Sequence, residues 1–155
     1  MLRKTPHTHS KITGGHYVII ASRYNTRYVD AMLQAARRRL HQSKAHSVRI
    51  IRVPGAFEIP TAAARAARLS DPPPDALICL GVILRGETEH ARLIGEAVTQ
   101  ALAQLQVQTG LPLIHEVLLL ENLDQARARC LDPHHNRGTE AAESALEMVR
   151  ILREL

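Results

Sequence analysis

Several segments of the chain place residues able to hold an anion and move a proton close together. Arg85-Gly86-Glu87-Thr88-Glu89-His90 sets a glycine turn, a hydroxyl and an imidazole between an apolar run and a helical pattern. Free backbone N–H groups and the positive end of a helix suit such a turn to a phosphate or carboxylate. Thr88 stands where it can cap the helix or donate to the anion. His90 falls in the first helical turn, and a histidine there can transfer protons near neutral pH. An ordinary strand-to-helix turn carries the same residues, and with nine histidines in the chain a solvent-facing one is commonplace. Glu58, behind Gly55 and ahead of a helix, can accept hydrogen bonds from ligand hydroxyls or simply favour that helix's dipole.

Other chemistries find less support. His7-x-His9 and His134-His135 lack a cysteine or carboxylate at ligand spacing, so no metal site is expected. There is no phosphate loop of the Walker type, no GxGxxG after a strand, and no Ser-His-Asp set that can be singled out. Cys79 and Cys130 are too few for a disulfide scaffold, and both read as buried or free thiols. No N-terminal apolar core of a signal peptide is present, and no run nears the roughly 18 apolar residues of a membrane span. A cytoplasmic, reduced setting is expected, with no membrane partner.

The net charge of +5 raises nucleic acid as a partner. The densest basic run, Arg37-Arg38-Arg39, lies in a segment whose Val29, Met32, Leu33, Ala36 and Leu40 fall at helical spacing. Two of those arginines then face solvent, and the chain lacks the aromatics interleaved with basic residues that base stacking needs. Nucleic acid is therefore not expected as a partner.

The elements that must position these residues alternate. Four short apolar runs, at 17–22, 47–53, 76–84 and 113–120, read as strands of a sheet covered on both faces. Helical patterns cover 29–40, run from Pro60 to Leu69, carry Leu93, Ile94, Ala97, Val98, Ala101, Leu102 and Leu105 on one face, begin again near 122–125, and follow Gly138. At 155 residues the chain is one domain, with residues 1–15 as a polar arm and 16–155 as the folded unit. Strand–helix alternation implies an α/β fold with a parallel sheet. In such sheets the ligand lies beyond the carboxyl ends of the strands. Arg23-Tyr24-Asn25, Pro54 to Pro60, Arg85 to His90, and Glu121-Asn122 with Arg129 behind them occupy those ends.

Taken together and in this order, Arg23-Tyr24-Asn25, VPGAFEIP at 53–60, GVILRGETEH at 81–90, ENLDQARAR at 121–129 and NRGTEAAESALEM at 136–148 resemble the lumazine synthase family. The likeness runs from about Tyr17 to the C-terminus. It implies a flavodoxin-like three-layer sandwich on a four-stranded parallel sheet, assembled as a pentamer with active sites between neighbours. It implies that 5-amino-6-(D-ribitylamino)uracil condenses with 3,4-dihydroxy-2-butanone 4-phosphate, through a Schiff base, phosphate elimination and ring closure, to 6,7-dimethyl-8-ribityllumazine. No metal or organic cofactor takes part in that reaction.

By the same resemblance Tyr24 stacks on the pyrimidine ring, and Ala56, Phe57 and Glu58 grip ribityl hydroxyls and ring edges. Ile83 and Leu84 line the heterocycle with their backbone. Gly86, Glu87, Thr88 and Arg129 hold phosphate, and His90 moves the proton. Arg137 stands where the family usually has Lys, which keeps charge but changes geometry. His115 stands where many members carry Phe against the ring, adding a titratable group beside the substrate, and Leu119-Leu120 replaces a frequent Thr pair. Some relatives bind riboflavin-like ligands and catalyse poorly, so a binding-only paralogue is the alternative reading. The stretch from Arg129 to Arg137 carries no insertion, which resembles members that build sixty-subunit icosahedral shells rather than free pentamers.

Overall fold

Alternation of buried residues along the strands decides the architecture. In the computed structural model, which describes residues 12–155, β1 spans His16–Ser22. Its Tyr17, Ile19 and Ala21 enter one apolar cluster while Val18 and Ile20 enter another. A strand buried on both faces needs a layer of helices on each. The chain supplies them through α1 (Thr26–Gln42), β2 (Ser47–Val53), α2 (Ile59–Ala66), β3 (Ala76–Leu84), α3 (His90–Thr109), β4 (Leu113–Leu120), the short α4 (Leu123–Ala126) and α5 (Arg137–Arg153). Helices α1 and α5 pack on the face carrying Ile19, Ile78 and Leu80, whereas α2 and α3 pack on the face carrying Ile20, Leu77 and Cys79. The arrangement is the flavodoxin-like three-layer α/β sandwich.

All strand pairs are parallel, in the order β2-β1-β3-β4. The chain steps outward from β1 to β2, then crosses back to β3 on the other side of β1. That reversal is a topological switch point, and it opens a crevice above the carboxyl ends of β1 and β3. Strands β2, β3 and β4 occupy the residues expected from the sequence, and β1 begins one residue earlier, at His16.

The helices depart further from expectation, each for a local reason. Helix α1 extends past its apolar stripe at both ends, because apolar periodicity registers only the buried turns. Helix α2 stops at Ala66, and the Arg68 and Leu69 amides close shorter turns onto the Arg65 and Ala66 carbonyls. The expected fourth helix lasts four residues before a π-helical turn at Arg127–Leu131. The apolar face of α3 divides: Val98 and Leu102 are buried, whereas Leu93 is 55% exposed and Ala97 is exposed too.

One close approach fixes the two helices of the first layer. A Cβ at Gly138 would lie 1.9 Å from the Met32 carbonyl oxygen, so only glycine lets α5 start against α1. Asn136 just before it donates to the Cys130 carbonyl at 2.6 Å and accepts from the Gly138 amide at 2.8 Å, tying the π-helical turn to the start of α5.

Candidate active site

The crevice is built by stitching the loop after β1 to the loop after β2. The Arg23 amide donates to the Val53 and Pro54 carbonyls at 2.9 and 3.1 Å, and the Tyr24 amide donates to Pro54 at 3.3 Å. Asn25 then takes a left-handed conformation, φ 57°, one that Asn tolerates better than most residues. Its side-chain amide donates to the Val82 carbonyl on β3 at 2.8 Å. The turn that carries Tyr24 is thereby anchored to the wall strand.

The second loop closes on itself. The Gly55 amide donates to Glu58 Oε2 at 2.8 Å, and the Glu58 amide returns a bond to the Gly55 carbonyl at 3.3 Å. Glu58 thus performs the local capping duty open to it from the sequence, while its Oε1 has no hydrogen bond among the described residues. A Cβ at Gly55 would meet Glu58 Oε2 at 2.9 Å and the Tyr24 ring at 3.0 Å, so the glycine is what admits both.

Above these loops lies an open cavity of about 1060 Å³ lined by Tyr24, Asn25, Gly55 to Glu58, Val82 to Leu84 and, from α3, His90, Leu93, Ile94 and Ala97. Its volume is ample for a heterocycle together with a second small molecule. The chain has one Phe and three Tyr, yet Phe57 is 62% exposed and Tyr24 70% exposed at this cavity. Large aromatics left in water mark a binding surface rather than a core.

Of the residues singled out from the sequence, Tyr24, Ala56, Phe57, Glu58, Ile83, Leu84 and His90 line this one cavity. Gly86, Glu87 and Thr88 form the exposed loop leading into His90, the first residue of α3. Of the two roles open to Thr88 from the sequence, it does not take the N-cap position: Glu89 holds that place, and the Thr88 hydroxyl accepts the His90 amide at 3.4 Å. Helix α3 therefore begins without a side-chain cap on its remaining amides. Glu89 turns away to Arg92, whose guanidinium holds its carboxyl below the usual range. Leu93, Ile94 and Ala97 were missed as lining residues. Their helical spacing signals an apolar face and cannot say whether protein or ligand covers it.

His115, Arg129 and Arg137 do not line the cavity. His115 lies on edge strand β4, on the face that meets α3, with Thr99 bonded to its Nε2 at 2.8 Å. Arg129 is exposed on the π-helical turn and forms no ion pair among the described residues. Arg137 begins α5 with its Nε on Glu116 at 3.0 Å and its Nη1 on Glu140 at 2.7 Å. Burial pushes the Glu116 carboxyl above its ordinary range, and Arg137 opposes that push. Glu116 gave no sequence signal, since a lone acid in a strand is ordinarily read as an outward-facing residue.

The thiols are inert. Burial raises Cys79 to about 12 and Cys130 to about 11. Among the described residues no group of three or more His, Cys, Asp or Glu can hold a metal ion, while His7 and His9 lie outside them. Among the described residues no helix is long and apolar enough to cross a membrane.

Similarity to known proteins agrees with this architecture. The chain matches the family described as 6,7-dimethyl-8-ribityllumazine synthase over residues 14–153. A protein of that name from Xanthomonas campestris pv. campestris (strain B100) is 39% identical over 142 residues, covering 90% of this chain and 91% of its own. Its counterpart from Kineococcus radiotolerans is 41% identical over 143 residues, with 91% and 87% covered. The one from Xylella fastidiosa (strain 9a5c) is 37% identical over 144 residues, covering 92% of both. With its parallel sheet, its switch-point cavity and this length of similarity, the chain belongs to the 6,7-dimethyl-8-ribityllumazine synthase family.

Proposed function

We propose that the chain condenses 5-amino-6-(D-ribitylamino)uracil with 3,4-dihydroxy-2-butanone 4-phosphate, releasing phosphate and water to give 6,7-dimethyl-8-ribityllumazine. The observation that carries this reading is the pairing of two solvent-exposed aromatics with His90 in one cavity at the switch point. Tyr24 offers its ring to the pyrimidine, and Ala56 and Phe57 grip the ribityl chain and ring edges. Glu58 Oε1 is free to accept ribityl hydroxyls, and the backbone of Ile83 and Leu84 offers in-plane contacts to the ring edge. Gly86, Glu87 and Thr88, with the uncapped amides of α3, receive the phosphate.

On this reading the amine of the pyrimidine attacks the ketone and water leaves as the Schiff base forms. Loss of phosphate follows, and closure of the second ring expels a second water. Holding both substrates in one cavity supplies much of the rate, since a bimolecular encounter becomes a positioned one. His90, at the junction of cavity and anion loop, carries protons between the reacting carbon and the leaving groups, a contribution of roughly 10²–10⁴-fold.

The site is completed by a neighbouring copy. Arg129 and His115 stand outside the cavity of their own chain, so they reach a substrate on Tyr24 only from an adjacent subunit. Arg129, exposed and unpaired among the described residues, brings the phosphate cation. Arg137 adds only Nη2, its other nitrogens being held by Glu116 and Glu140. A pentamer, alone or as a unit of a sixty-subunit shell, provides such a neighbour at every site.

A two-substrate assay following lumazine fluorescence and released phosphate tests the reaction, and mixing variants tests the shared site. His90→Ala and Arg129→Ala assemblies are each expected to be nearly inactive. Co-assembled in equal amounts they recover activity at about a quarter of the sites, those with both intact residues. Tight binding of a riboflavin-like ligand without turnover would instead assign the chain a binding role. Absence of recovery on mixing would place each site within one chain.

A further inference from the structure

His115 makes two hydrogen bonds whose partners differ in kind. Its Nδ1 lies 3.0 Å from the Val117 amide nitrogen, and its Nε2 lies 2.8 Å from the Thr99 hydroxyl on α3. A backbone amide can only donate, so Nδ1 must offer a lone pair. In a neutral imidazole the proton then sits on Nε2, and the Thr99 oxygen accepts it. A hydroxyl alone would suit either tautomer; the amide settles the choice.

We infer that Val117 and Thr99 lock His115 as a neutral imidazole protonated on Nε2, so that it presents a flat aromatic face to a heteroaromatic ring bound by a neighbouring copy and takes no part in proton transfer. Thr99 is the positioning residue for that face. The inference rests on the proposed function, in which His115 meets the pyrimidine of an adjacent site.

The surroundings support the lock. Protonating Nδ1 would point its hydrogen at the Val117 N–H, so the cation loses that bond and gains a repulsion. Burial acts in the same direction and lowers the proton affinity of the ring. No charged group nearby reverses the sign. Cys79, its partner across the ladder on β3, is a neutral thiol. Glu116, next along the strand, is bonded to Arg137. On α3, one turn before Thr99, Glu96 is paired with Arg92 at 2.7 Å, so the two charges offset each other. A neutral plate held by two bonds replaces a hydrocarbon ring at little cost, which a freely titrating histidine would not.

The ring can be read without any turnover. In nitrogen-15-resolved spectra of the assembled protein, with the signal assigned by its loss in His115→Phe, Nδ1 should appear as a bare acceptor and Nε2 as a proton carrier. That pattern should persist below the midpoint of an ordinary histidine. Thr99→Val should speed exchange of the Nε2 proton, and Thr99→Ser should restore its protection. In the two-substrate assay Thr99→Val should raise KM for the pyrimidine by about 5-fold, the worth of one hydrogen bond. His115→Ala should raise it further, and His115→Phe should recover it while leaving the acid limb of the pH profile where it was.

A ring that titrates near its ordinary midpoint, or carries its proton on Nδ1, overturns the inference. So does an acid limb that moves in His115→Phe. If the spectra are as expected and no condensation occurs, the lock stands and the proposed function fails.

Discussion

The Asn25 side chain donates to the Val82 carbonyl at 2.8 Å, joining a left-handed turn after β1 to the strand that forms the cavity wall. One residue thus does two jobs: it tolerates φ 57° and it spends its amide on a backbone acceptor. Separating them gives the first prediction. Asn25→Gly keeps the conformation and loses the bond, at about 1 kcal/mol. Asn25→Ala loses the bond and adds the left-handed penalty, for about 2–3 kcal/mol in all. Urea unfolding should rank the two in that order with unchanged slope. A glycine variant less stable than the alanine variant would show that the turn, not the bond, was misjudged.

The Arg137–Glu116 pair makes stability depend on pH in a stated direction. Glu116 is 8% exposed, and burial holds its carboxyl above the ordinary range while Arg137 resists. A carboxylate with a raised folded value binds protons more readily folded than unfolded, so its contribution to stability falls as pH rises through that window. Arg137→Ala removes the opposing cation, raises the folded value further and leaves a buried charge unpaired. Because Arg137 is about a third exposed, the loss at neutral pH should be about 1–3 kcal/mol, below that of a fully buried pair. The gap from the parent should narrow on acidification towards about pH 5 and largely close in the double variant Glu116→Gln with Arg137→Ala. A gap independent of pH would mean that Glu116 does not feel its partner.

What the sequence discloses and what it withholds have different physical origins here. Strands β2, β3 and β4 could be delimited because parallel strands buried on both faces are continuous apolar runs, with nothing else of that length to compete. The cavity residues Tyr24, Phe57 and His90 were legible because strand ends in this topology are where ligands sit. The ion pair from Arg137 to Glu116 was not, since it spans 21 residues and depends on how α5 lands beside β4. The π-helical turn under Arg129 was invisible for a similar reason. The four-residue α4 gives way to it where Asn136 holds the Cys130 carbonyl, a contact made only after the chain has turned. Leu93 and Ile94 show the limit of periodicity itself: it reports an apolar face and is silent on what covers it.

Gly138 should prove intolerant of any side chain. The atoms a Cβ would strike are backbone, with the Met32 carbonyl oxygen at 1.9 Å and its carbon at 2.5 Å, so no rotamer change can relieve the clash. Gly138→Ala must push α5 off α1 and carry Arg137 and the Asn136 tie with it. We expect a loss of about 3 kcal/mol or more, at the upper end of overpacking effects. Thermal unfolding of the variant against the parent measures it, and a shift within error would show that α5 can start elsewhere without cost.

Tyr24 should behave in the opposite way, because its ring is 70% exposed and the fold does not depend on it. Truncating a solvated side chain typically changes stability by less than about 0.5 kcal/mol. Loss of a ring stacked on a heterocycle costs about 1–3 kcal/mol of binding, or roughly 5- to 150-fold in affinity. Tyr24→Ala should therefore unfold with the parent yet bind the pyrimidine substrate far more weakly, and Tyr24→Phe should recover the affinity through its aromatic face. Parallel denaturation and ligand titration decide the matter. If Tyr24→Ala binds as tightly as the parent, the ring is not the platform on which the substrate lies, and the weight of recognition passes to Phe57 on the facing loop.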